Sequence, residues 1–158
     1  MYRVLYCTLF EHDLPLLLLA LFVCAATFIV TAFLWVRQRV ARPRWQYAWL
    51  ASIGVVTGGG VWATHFIAML AYRSSFPLGF SLWITMLSLI LAIAFSTLAF
   101  LIKFRTHSSR GIVASGLCFA TGVTALHYVG MAAIQAPAQM HWQSGLVAAS
   151  WFIAAAFA

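Results

Sequence analysis

Long apolar runs, separated by short polar or basic stretches, make up nearly the whole chain. Five can be drawn: from about Leu14 to Val36, about Trp45 to Ala71, about Leu78 to Lys103, about Gly111 to Ile134, and from near Trp142 to Ala158. A run of about 20 apolar residues is long enough to cross the hydrocarbon core of a bilayer. Lipid offers no partner to an open backbone, so each run is expected to be a helix. The fifth, at roughly 16 residues, falls short of a full span.

Composition carries the same message. Of 158 residues, 65% are hydrophobic and 7% are charged, with two acids against nine lysines and arginines. So few charges cannot solvate a globular surface, and an all-α polytopic membrane bundle is the expected fold class. The net charge of +7 then reads as topology and headgroup contact, not as nucleic-acid binding. Glu11, His12 and Asp13 stand just before the first run, where a signal peptide would carry positive charge. Cys7, Cys24 and Cys118 lack a CxxC spacing, and the latter two read as small buried hydrophobes.

Basic residues orient the spans. Arg37, Arg39, Arg42 and Arg44 separate runs one and two, and Lys103, Arg105 and Arg110 separate runs three and four. Arg3 and Arg73 fall on the other side. Seven against two places the former connections in the cytoplasm and the N-terminus outside. Trp35, Trp45, Tyr72, Trp83 and Trp142 stand near run ends, as interfacial aromatic belts do.

Two stretches carry candidate chemistry. GGGVWATHFIAMLAY contains His65 and Met69, and ATGVTALHYVGMAAI contains His127 and Met131. In each copy, helical i, i+4 spacing puts an imidazole and a thioether on one face, a pair suited to a soft or borderline metal. An ionisable ring inside a span is a functional candidate by default. Both runs point outward, so all four side chains belong to the outer half of the membrane, with His12 and His141 on the same side.

The copies lie 62 residues apart, and the same shift matches Gly54 with Gly116, Gly60 with Gly122 and Phe66 with Tyr128. Twice that shift matches VCAATFIVTAF with VAASWFIAAAF. The unit is therefore a helix pair, inward then outward with the motif. Unit one covers about 12–72, unit two about 74–134, and a third opens at about 136–158. The chain is expected to stop inside that third unit, as a single domain of which this is a fragment.

A glycine-rich outward helix ending in M-H-[FY]-x-[AG]-M, repeated in helix pairs, resembles the MHYT domain of bacterial membrane signalling proteins. The likeness covers essentially the whole chain, including the His12-Asp13 start. It implies a multi-pass sensor in the bacterial inner membrane, joined to a cytoplasmic output domain such as a diguanylate cyclase, phosphodiesterase, kinase or DNA-binding module. It also implies a metal site near the outer face, with copper as the ion and oxygen, carbon monoxide or nitric oxide as signals. Carried onto this chain, the ligands are His65, Met69, His127 and Met131. The methionine that precedes each histidine in the family pattern is Thr64 in one copy and Leu126 in the other.

Each assignment has a plainer rival. His65 and His127 could be buried rings bonded to a neighbouring helix through Thr64 or Thr124, and Met69 and Met131 could fill gaps in packing. His12 could be a further ligand, or simply flank Asp13 as the cap of the first helix with Pro15 in its first turn. Met140 with His141 and the basic-side His107 read as incidental, and Pro77 and Pro137 as turn residues outside the spans. Gly54 and Gly58 form a GxxxG pattern that lets helices approach closely and could bring His65 and His127 to one ion. A bis-histidine haem protein is the alternative function. A transporter fits less well, because the inner half of every span is nearly free of ionisable groups. Enzyme chemistry is not expected in this domain, since Glu11 and Asp13 are its only carboxylates.

Overall fold

The computed structural model describes residues 12–72, 79–106, 108–135 and 144–157, and these form an all-helical membrane domain. Helix α1 spans Leu14–Val40, α2 Pro43–Leu70, α3 Leu82–Arg105, α4 Ser109–Ala132 and α5 Ser144–Phe157. The first four are long and apolar enough to cross a membrane, and α5 is shorter. Arg3, Glu11, Arg73, Pro77, His107, Pro137, Met140, His141 and Trp142 lie outside the described residues.

Helix ends follow from local chemistry. Asp13 caps α1, its carboxylate accepting from Leu16 N at 3.4 Å, with Pro15 in the first turn where no N–H is needed. The helix runs on to Val40, beyond the apolar run, because Arg37 and Arg39 suit the negative end of its dipole. Pro43 opens α2 in the same manner. Ser108 caps α4 by accepting from Gly111 N at 3.3 Å. Helix α3 starts at Leu82, four residues later than the apolar pattern predicts. The preceding Gly79–Phe80 is occupied as a short strand β1, antiparallel to β2, Ile134–Gln135.

Consecutive helices are antiparallel neighbours, and the large side chains point outward. Phe28 is 75% and Trp83 82% exposed, whereas the buried face of α3 is the stripe Ser88, Ala92, Ser96 and Ala99. With lipid as solvent, small residues bring backbones together. Gly58 is the extreme case: a Cβ there would fall 2.6 Å from the Cα of Ile93 on α3. Cys24 is exposed on α1, contrary to a buried reading, because that face needs only apolar character; half-buried Cys118 faces the carbonyl of Phe95 at 3.8 Å.

Polar contacts pin each successive pair. Thr31 and Thr57 share a hydrogen bond of 2.9 Å between α1 and α2. Trp62 donates to Ser88 Oγ at 3.1 Å between α2 and α3, and Ser115 donates to the carbonyl of Ala99 at 2.9 Å between α3 and α4. Tyr128 and Ser150 meet at 2.8 Å between α4 and α5. Such bonds contribute about 0.6 kcal/mol each inside a membrane bundle.

Candidate metal centre

Both motif helices end in the same way. Ala71 and Ala133, fully buried, follow α2 and α4 in helical geometry. The carbonyl of Ala71 accepts from Asp13 N at 2.7 Å, and that of Ala133 from Ser81 N at 2.8 Å. Beside them, His12 bridges Tyr72 as an isolated antiparallel pair, matching Phe80 opposite Ile134. Helices α1 and α3 are thus tied at their starts to the ends of α2 and α4. Six residues separate each histidine from its terminal alanine, so both imidazoles sit at one depth, about 9 Å below the helix ends.

At that depth α2 and α4 approach each other over a short stretch. The rings of His65 and His127 come to 5.0 Å between centroids and cross at 73°. Nitrogen–metal bonds of about 2.0–2.1 Å allow two imidazoles on one ion with centroids up to roughly 6 Å apart. The observed separation falls inside that limit, although the edge-to-face crossing requires one ring to turn.

His65 Nε2 is buried without a hydrogen-bond partner. It faces the backbone of Gly130, where a Cβ would lie 2.7 Å from the nitrogen. Thr64 Oγ1 beside it is likewise buried and unpartnered, while Thr124 donates to its own helix at the carbonyl of Ala120, 2.9 Å away. The interhelical bond expected of a merely structural His65 is therefore made by neither threonine. A nitrogen left unmatched at this depth is costly, and where it carries the lone pair a metal would satisfy it.

Met69 and Met131 stand one turn beyond their histidines, both half-buried. His12 lies further out: its ring packs on Tyr72 at 5.5 Å, seven residues and about 10 Å of helix rise past His65. Among the described residues, no three histidine, cysteine or acidic side chains converge. The two thioethers are the further soft donors on the same two helices.

A cavity of about 550 Å³ opens beside His65 between α1, α2, α3 and α4. Phe28, Thr57, Thr64 and Phe119 are among its walls, and it is mostly apolar. The motif aromatics pack differently in the two copies. Phe66 packs on Trp62 at 4.8 Å and on Phe80 at 5.8 Å, and its counterpart Tyr128 reaches Ser150 instead. Gly130 and Thr64 are the contributors that sequence reasoning did not assign to the site. The hint was the small residue that the repeated motif keeps at this position, Ala68 in the first copy and Gly130 in the second.

The fold and paired motifs define a repeated-helix membrane domain with histidines meeting between its second and fourth helices. Residues 58–116 and 121–158 match the MHYT family, described as the bacterial signalling protein N terminal repeat. The match covers more than half of the chain, which belongs to that family. An uncharacterized signaling protein of Caulobacter vibrioides is 38% identical over 149 residues, covering 94% of this chain and 18% of its own length. The cyclic di-GMP phosphodiesterase NbdA of Pseudomonas aeruginosa is 37% identical over 121 residues, 75% of this chain and 15% of its own. The bifunctional diguanylate cyclase/cyclic di-GMP phosphodiesterase MucR of the same organism is 36% identical over 99 residues, 62% of this chain and 14% of its own. The chain thus spans less than a fifth of the length of these relatives. No solved structure matches it.

Proposed function

We propose that this domain is a metal-dependent membrane sensor in the bacterial inner membrane, with its motif end outside and its basic end in the cytoplasm. His65, Met69, His127 and Met131 would hold the metal, taken as copper, and a bound ion would supply a redox-active centre that can take a diatomic ligand. The carrying observation is the approach of His65 to His127 at 5.0 Å, with His65 Nε2 buried and unmatched. The adjoining apolar cavity suits oxygen, carbon monoxide or nitric oxide. A change in ligation would alter how α2 meets α4, and both helices lead back to the basic loops. An enzymatic output domain beyond this chain, of the cyclase or phosphodiesterase kind named in the relatives, would read that change. A ligand shifts such an equilibrium only by its difference in affinity for the two states.

The haem alternative requires the imidazoles to face each other across a macrocycle, so their edge-on contact favours a bare ion. Elemental analysis of detergent-purified protein beside the His65→Ala/His127→Ala variant tests both. Near-stoichiometric copper lost in the variant supports the reading. Equal, substoichiometric metal in both proteins defeats it, and a strong Soret band replaces it with haem.

A further inference from the structure

The basic end of the bundle contains a second built site. Gln38, near the end of α1, is 0% exposed, and neither its Oε1 nor its Nε2 has a hydrogen-bond partner. An amide buried in this way forfeits several hydrogen bonds to water, so its position calls for a partner. It lines a cavity of about 340 Å³ together with Arg39, Gln46, Lys103 and Thr106, closed by Trp35 and Phe104. Gln46 and Thr106 each spend a donor on backbone, Gln46 Nε2 on the carbonyl of Ala41 and Thr106 Oγ1 on that of Ile102.

Five of the seven basic residues around this end divide into two sets. Arg37 lies over Phe33, Arg44 over Trp45 and Arg105 over Tyr47, so these guanidinium groups have aromatic partners. Arg39 and Lys103 line the cavity instead. The chain's two acids, Glu11 and Asp13, both belong to the sequence before the opposite end of α1. That is about 40 Å of helix away for Asp13, which therefore cannot neutralise the pair.

From this arrangement we infer that the Gln38–Arg39–Lys103 pocket binds a phosphate-bearing anion, as a lipid headgroup or as a soluble phosphate compound. Guanidinium and ammonium supply charge and donors, and the Gln38 amide supplies a donor at the floor. Phosphate is the abundant anion at a membrane surface, and basic pockets between helices at this level suit lipid headgroups. Trp35 and Lys103 also line a second cavity of about 340 Å³ that runs between α1 and α4 past Phe28 and Phe100, where an acyl chain would fit. The headgroup pocket lies at the other end of the molecule and does not rest on the metal reading, while the acyl cavity shares Phe28 and Phe100 with the cavity beside His65.

Full-length chain purified in a maltoside detergent, which carries no phosphate, tests the inference by native mass spectrometry with short-chain phosphatidylglycerol. We expect one lipid per chain, with affinity reduced at least tenfold in Arg39→Gln/Lys103→Gln and clearly reduced in Gln38→Leu and Gln38→Glu. Arg44→Gln/Arg105→Gln removes the same charge elsewhere and should bind normally. Equal weakening in both double variants would overturn the site in favour of diffuse charge, as would unchanged binding in both Gln38 variants. Helicity and monodisperse elution confirm that each variant is folded. Displacement of the lipid by inorganic phosphate supports a soluble ligand, and resistance to it supports a headgroup. Displacement by chloride as readily as by phosphate defeats the inference.

Discussion

His65 Nε2 and the backbone of Gly130 face each other with no space for a methyl group: a Cβ on residue 130 would fall 2.7 Å from that nitrogen. The contact joins the two copies of the motif, since Gly130 lies three residues after His127 on α4. Gly130→Ala should displace the His65 ring, cost about 1–3 kcal/mol in stability and weaken copper binding about tenfold, or ~1.4 kcal/mol. Chelator competition and thermal unfolding measure the two effects. Gly59→Ala is the matched control, because nothing lies within 4 Å of its added Cβ. It should leave copper binding unchanged and stabilise by up to about 1 kcal/mol.

The helices themselves were legible because bilayer thickness and backbone hydrogen bonding leave little choice for runs this long and apolar. What hydropathy could not read was the pairing at their ends. Leu78 to Ser81 looks like the start of a span, yet Phe80 is taken by Ile134 in a strand pair. That shifts the start of α3 to Leu82 and makes the connection after α2 longer than a uniform period requires. The meeting of His65 with His127 was foreseeable from equal depth, but not from the GxxxG pair, since Gly54 and Gly58 pack against Thr97 and Ile93 of α3. The part played by Gly130 was not, because it depends on the rotation of α4 against α2. Gln38 was likewise hidden: an amide among arginines at a helix end reads as solvated until neighbouring helices bury it.

Proton competition gives a second prediction. A metal ligand must be neutral imidazole, so copper retention should fall as pH is lowered between about pH 8 and 5. If both histidines ligate, log affinity rises with pH with a slope approaching two on the acid side and flattens on the alkaline side. His65→Gln/His127→Gln should abolish that slope. A slope near one would mean that binding displaces a single proton, and a slope that persists in the double variant would exclude both imidazoles.

The bond between Tyr128 and Ser150 ties the second motif copy to α5. Tyr128→Phe and Ser150→Ala should each destabilise modestly, and the double variant should show a coupling near ~0.6 kcal/mol. Unfolding in mixed micelles measures it. Tyr128 also flanks His127, with ring centroids 5.0 Å apart. If the hydroxyl acts only as a tether, Tyr128→Phe should keep copper binding within about twofold, under ~0.5 kcal/mol. A tenfold loss would make Tyr128 part of the site.

Orientation offers the last test. Seven lysines and arginines flank the connections between α1 and α2 and between α3 and α4, and such an excess is retained on the cytoplasmic side. In a background with Cys7, Cys24 and Cys118 replaced, Arg42→Cys reports on the basic end and Gln135→Cys on the motif end. Both positions are exposed, and the Arg42 side chain makes no capping bond that the change would remove. An impermeant maleimide added to intact cells should label Gln135→Cys at once and Arg42→Cys only after the membrane is opened. The reverse pattern would put His65 and His127 in the inner half of the bilayer. Gas or metal would then have to reach them from the cytoplasm, and the phosphate pocket would face outward.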